Sequence, residues 1–88
     1  MSKAVQKRLT EMRATPGSVR FSDVLRVARH YFGEPRIKGS HHVFKMPWGG
    51  DPRINLQDSG DRAKSYQVRQ LLIAVEKVEL SKQGKDDA

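Results

Sequence analysis

Val68, Leu71, Leu72, Val75 and Val78 recur at three- and four-residue spacing late in the sequence, the clearest amphipathic pattern in the chain. Such a helix is apolar along one stripe only and has to bury that stripe against another element. The sequence has 88 residues, enough for one small domain, so the cover must come from the same short stretch.

Two helical patterns precede it. Val5, Leu9 and Met12 predict a helix over Lys3–Ala14, and Thr15-Pro16-Gly17-Ser18 ends it, because proline and glycine do not continue a helix comfortably. Ser22 is placed to cap a second helix, with Asp23 in its positive first turn. Phe21, Val24, Leu25, Ala28 and Phe32 form the apolar stripe of that helix. Arg26 and Arg29 fall on its other side, and Gly33 is a natural stop.

From Glu34 the period changes to two. Pro35–Lys38 reads as a short edge strand, Gly39-Ser40 as a turn, His41–Met46 as a second strand and Asp51–Gln57 as a third. Pro47-Trp48-Gly49-Gly50 links the last two. Alternation puts His42, Phe44, Met46, Ile54 and Leu56 on a core face, and His41, Val43, Lys45, Arg53, Asn55 and Gln57 on the opposite one. Asp58-Ser59-Gly60-Asp61 reads as a polar loop, Ser65 as the cap of the last helix, and Ser81–Ala88 as a frayed polar tail. The expected fold is α+β, a two-layer α-β-β-β-α sandwich over residues 21–80 with an additional N-terminal helix and turn over residues 1–20.

Composition narrows the chemistry. The absence of cysteine excludes disulfide scaffolds, thiolate zinc sites and cysteine nucleophiles. Glycine-rich phosphate loops are absent too. No apolar run approaches the ~20 residues of a membrane span. Met1–Arg13 lacks an apolar signal core, so a cytoplasmic location is expected. The net charge is +7, and a polyanionic partner is its simplest explanation. Nine basic and three acidic residues lie in 1–40, two and one in 41–57, and six and six in 58–88, which puts the excess in the first half. A solvated helix surface accounts equally well for any single Lys or Arg.

Of the three histidines, His30 sits among the arginines of the second helix and reads as a helix-surface residue. His41 and His42 are neighbours in a strand, so they face opposite ways and cannot share one metal; no metal site and no cofactor are expected. His41 belongs to the polar face. An imidazole, with an unperturbed pKa of about 6.5, can accept and return a proton near neutral pH. RNA carries an internal nucleophile in its 2′-hydroxyl. Cleavage there needs proton removal, protonation of the leaving oxygen, and cations on the pentacoordinate phosphorus. His41 suits either proton transfer, and Lys45 with Arg53 the third task. The alternative is a surface histidine in a basic protein.

These residues also carry a resemblance. Gly39-Ser40-His41-His42-Val43-Phe44, a few strand residues, then Lys64 and a terminal helix resemble the HicA family of bacterial toxins, which pair with HicB antitoxins. Tyr31-Phe32-Gly33-Glu34-Pro35, and Met46-Pro47-Trp48 through Tyr66-Gln67-Val68-Arg69, are similar to an actinobacterial-type branch with an added N-terminal helix. The resemblance covers roughly residues 21–80 and implies a double-stranded-RNA-binding-like fold. It further implies a weakly selective mRNA endoribonuclease with one essential histidine, at the position of His41, and a structural His42. Gly39, Ser40, Lys45, Arg53, Lys64 and Arg69 are the expected RNA contacts, with Lys64 matching a lysine before the family's last helix and suited to phosphate there. Tyr66 and Trp48 are candidates for stacking on bases.

The expected partners are mRNA and a HicB-type antitoxin, with a homodimer or a hetero-oligomer both open. Two features depart from the compact HicA pattern. Met1–Arg20 has no counterpart there, and Asp58–Ala63 carries two acids where a more basic surface is expected. A non-catalytic RNA-binding regulatory module using the same face is the main competing reading, and a chain that mainly docks a protein partner is the third.

Overall fold

The computed structural model, which describes residues 3–47 and 53–87 and gives 81–87 as backbone only, joins the three apolar stripes in one core. Helix α1 (Lys3–Ala14) buries Val5, Leu9 and Met12, and α2 (Phe21–Phe32) buries Phe21, Val24, Val27 and Ala28. Helix α3 (Ser65–Asp87) adds Val68, Leu71, Ala74 and Val75. Val27 and Ala74 widen the stripes drawn from the sequence. Helices α2 and α3 pack on an antiparallel sheet, and α1 packs on α2 and α3. Leu9 and Met12 are as inaccessible as any residue of the sandwich, at 1% and 0% exposure, so the N-terminal helix shares the domain's own core.

The sheet runs β1 (Arg36–Lys38), β2 (His41–Phe44), β3 (Ile54–Ser59), β4 (Arg62–Ala63), each strand antiparallel to the next. Phe44, Ile54 and Leu56 are buried beneath the helices, with Met46 just beyond β2, as the alternation predicts. Asp51 and the Trp48–Gly50 part of the link lie outside the described residues.

Strand β4 is an addition to the expected three-stranded meander. Asp58 and Ser59 complete β3 rather than opening a loop, and Gly60 (φ 61°) with Asp61 (φ 68°) makes a two-residue hairpin turn. Tight hairpins favour a left-handed backbone at such positions because its twist matches that of the strands. The Asp61 N–H donates to Asp58 Oδ1 at 2.9 Å, which ties the turn down. Polar residues with low strand propensity masked this hairpin in the sequence.

The helix starts also differ from expectation. Ser22 does not cap α2, which begins at Phe21 with Arg20 in the cap position and no side-chain cap bond. The Phe21 N–H instead donates to the Asp61 carbonyl at 2.9 Å, so the β3–β4 turn satisfies the helix from across the fold. Asp23 does lie in the first turn, where its carboxylate accepts from Arg8 Nε at 3.1 Å. Gly33 closes α2 at φ 80°, its N–H donating to the Arg29 carbonyl. At α3 the cap position falls on Lys64, whose carbonyl accepts from the Gln67 and Val68 N–H groups, and Ser65 is the first helical residue. The helix continues to Asp87 instead of fraying from Ser81. Within that stretch Gly84 is the main helix-disfavouring residue, at about 1 kcal/mol. Among the described residues no helix is long and apolar enough to cross a membrane.

Candidate nucleic-acid interface

The face of the sheet turned away from the helices is built in rows. Register sets Lys38 of β1 opposite His41 of β2, and His41 opposite Gln57 of β3. The next row is Arg36, Val43 and Asn55. Directly opposed residues share a face, so a half-buried imidazole stands between two cations of one edge strand and two amides of a central one. The Asp58 N–H donates to the Ser40 carbonyl at 3.3 Å, which makes His41–Gln57 a pair without mutual backbone bonds, where side chains approach most closely.

His41 reaches diagonally to Asn55. Its Nδ1 lies 3.3 Å from Asn55 Oδ1 and 3.2 Å from Asn55 Nδ2. The amide can therefore accept from an Nδ1–H or donate to a bare Nδ1, and in either case Nε2 is the nitrogen left for other chemistry. His42, one residue on, faces the opposite way. Its ring meets Phe21 edge-on with centroids 5.0 Å apart, and its Nδ1 is buried without a hydrogen-bond partner among the described residues. His30 is exposed on α2, its ring edge-on to Tyr31 at 5.1 Å. Among the described residues no three His, Cys, Asp or Glu side chains come together in a way that could hold a metal ion.

The expected RNA contacts separate into groups. Gly39 (φ 58°) and Ser40 form the exposed β1–β2 turn beside His41, and the left-handed backbone there explains the glycine. Lys45 and Arg53 are exposed and lie just past the paired ends of β2 and β3, opposite each other if the register is continued. Four residues at ~3.3 Å each put Lys45 roughly 13 Å along the strand from His41. They mark one end of the face and do not surround the histidine. Lys64 is half-buried and continues the His41–Gln57 row by one step beyond the Asp58–Ala63 pair. Arg69 and Tyr66 are exposed on α3, in the helical layer, away from this row.

No protein-family model, curated protein or solved structure matches the chain. The likeness to the HicA pattern thus rests on the residues themselves, and the site has to be read from its own geometry.

That geometry adds residues the sequence pattern did not single out. Lys38 and Arg36 are nearer to His41 in register than Lys45 and Arg53 are, but a three-residue strand shows too little alternation to sort its faces. Asn55 stood on the polar face, without a partner until the β2–β3 register was known. Arg62 faces the same side, opposite Ser59, and forms a β-bridge with Arg20. These two arginines line a cleft of about 600 Å³ together with Asp58 and Asp61, so its charges balance. The two acids of the β3–β4 turn belong to that cleft and not to the His41 row.

Proposed function

We propose that this chain is a HicA-type toxin, an endoribonuclease that cuts mRNA with His41 as its proton-transfer group and is neutralised by a HicB-type antitoxin covering the same face. The observation that carries the reading is His41 itself, tethered by Asn55 on the open face of the sheet with Lys38 directly across from it.

The reaction needs no group beyond those on this face. RNA lies along the sheet with a phosphate near Lys38 and the Gly39-Ser40 turn. His41 Nε2 takes the proton of the 2′-hydroxyl, the 2′-oxygen bonds to phosphorus, and the bond from phosphorus to the 5′-oxygen breaks. The leaving 5′-oxygen takes a proton from the Lys38 ammonium or from water, so the products are a 2′,3′-cyclic phosphate and a 5′-hydroxyl. Lys38, with Arg36 one row away, stabilises the charge that builds on the phosphoryl oxygens. Lys45, Arg53 and Lys64 extend the basic track along which flanking phosphates lie. The likeness in fold to double-stranded-RNA-binding domains belongs to this proposal and is supported by the α+β layout.

A cleavage assay on a long mRNA, with EDTA present, tests it. The wild-type chain should give fragments ending in cyclic phosphate, while His41→Ala should lose at least about 100-fold in turnover, the usual worth of a positioned acid–base group. His42→Ala should retain the chemistry per folded molecule. Intact RNA bound by both the wild type and His41→Ala would establish a non-catalytic RNA-binding module instead. Cleavage that EDTA abolishes would overturn the mechanism.

A further inference from the structure

We infer that Asn55 is a positioning residue that fixes His41 as its Nδ1–H tautomer, leaving Nε2 as the single nitrogen through which protons enter and leave. The choice of tautomer and its role in catalysis both rest on the ribonuclease reading; the NMR measurement of the tautomer does not need it.

Both orientations of the amide satisfy the observed distances, since Oδ1 and Nδ2 are 3.3 and 3.2 Å from the ring nitrogen. The chemistry separates them. An imidazole that accepts a proton becomes an imidazolium with hydrogen on both nitrogens, and a protonated Nδ1 can only donate. A bond from Nδ1–H to Asn55 Oδ1 therefore survives every stage of a proton cycle. A bond from Asn55 Nδ2 to a bare Nδ1 holds only while the ring carries its proton on Nε2, which removes the base. The Oδ1 arrangement keeps the ring in one orientation while Nε2 alternates between lone pair and N–H.

It also divides the two proton transfers of the reaction. Among the described residues no carboxylate or second imidazole stands in register with His41; Lys38 faces it from β1, Asn55 and Gln57 from β3, and Lys64 continues the row. With Nδ1 committed to the amide, Nε2 takes the proton of the 2′-hydroxyl, and the 5′-oxygen, on the opposite side of phosphorus in an in-line displacement, takes its proton from the Lys38 ammonium or from water. Asn55 does not touch the reacting atoms. Its part is to orient the ring and hold the tautomer, as the third group does in nucleophile–base–orienter arrangements.

Nitrogen-detected NMR of the His41 ring, in the full chain without RNA, tests the tautomer directly. In the wild type the neutral ring should show a protonated Nδ1 and a bare Nε2. Asn55→Ala should release it towards the Nε2–H form. Asn55→Asp should restore the Nδ1–H form, because a carboxylate accepts the same bond. The His42 ring, packed on Phe21, reports in the same spectra that each variant is folded. In the cleavage assay Asn55→Ala should lower kcat about 10- to 100-fold, the scale at which orienting partners act, with KM within about twofold. A wild-type ring protonated on Nε2, or one that Asn55→Ala leaves unchanged, would overturn the inference. A correct tautomer in a chain that never cuts RNA would sink the ribonuclease reading and leave the positioning of His41 intact.

Discussion

At the scale of the residue, two adjacent histidines divide the work of the strand. His41 is half-buried on the open face with its Nδ1 tied to Asn55, whereas His42 lies across from Leu56 with a buried nitrogen that has no partner among the described residues. An unsatisfied buried nitrogen costs free energy that a carbon in its place would not. His42→Phe should therefore stabilise the domain by about 1 kcal/mol, the lower end of that penalty. The aromatic contact with Phe21 is kept, and cleavage is unaffected. Urea denaturation checks this, and a loss of stability would mean that His42 has a polar role on the core side. The sorting of these two histidines was legible from alternation alone, because successive strand residues face opposite ways. The pairing of His41 with Asn55 was not. It depends on a register set across the segment between β2 and β3, and nothing local to either residue encodes it.

At the scale of the element, the helices were legible because a period of 3.6 needs no partner to be seen, and Lys3–Ala14 emerges with the boundaries its stripe predicts. Their starts were not, since what satisfies an end comes from elsewhere. The first N–H of α2 goes to the Asp61 carbonyl, and the Gln57 N–H at the uncovered side of β3 goes to Gln67 Oε1 at 2.8 Å, from within α3. A similar long-range tie joins α2 to α3, where the Tyr31 hydroxyl donates to Glu79 Oε1 at 2.7 Å.

Burial, and then the bond to Glu79, push the Tyr31 hydroxyl up to about 12. An unfolded tyrosine ionises near pH 10. The folded chain thus holds this proton longer, and the tie stabilises fully below about pH 10 and is lost as pH rises towards 12. Tyr31→Phe should cost about 1 kcal/mol at neutral pH, the net worth of one hydrogen bond. It should also remove the part of the alkaline loss of stability that lies between those limits. Denaturation at pH 8 and pH 11 reads both. Equal alkaline losses in the wild type and the variant would show that the Glu79 contact is too loose to matter.

At the scale of the whole molecule, the +7 charge reads only as an attraction to polyanions, and the fold decides where that attraction acts. Part of the basic surface is already paired, Arg8 with Asp23 and Arg29 with Glu34. Arg36 and Lys38 are exposed on an edge strand beside His41. Each phosphate contact on a single strand contributes a slope of about 0.7 in the logarithm of affinity against salt. Lys38→Gln and Arg36→Gln should each weaken binding of a single-stranded RNA and reduce that slope by about this amount. Arg69→Gln, in the helical layer, should change it little. A titration over several salt concentrations decides, and the reverse order would move the RNA from the sheet to α3. Charge counting alone favoured no such ranking, because only the β1–β2 register brings Arg36 and Lys38 to the histidine.

The packing of α1 on α3 has a consequence for the order of events during synthesis. Leu9 and Met12 leave the ribosome early, while Leu71 and Val75, part of the same core, emerge late. In the interval α1 has α2 but not α3 to pack on, and the apolar surface left open is a target for chaperones and proteases. The sheet meanwhile lacks α3, one of the two helices that pack on it. For a chain with the proposed activity, that delay keeps the RNA-facing surface unassembled until α3 has emerged.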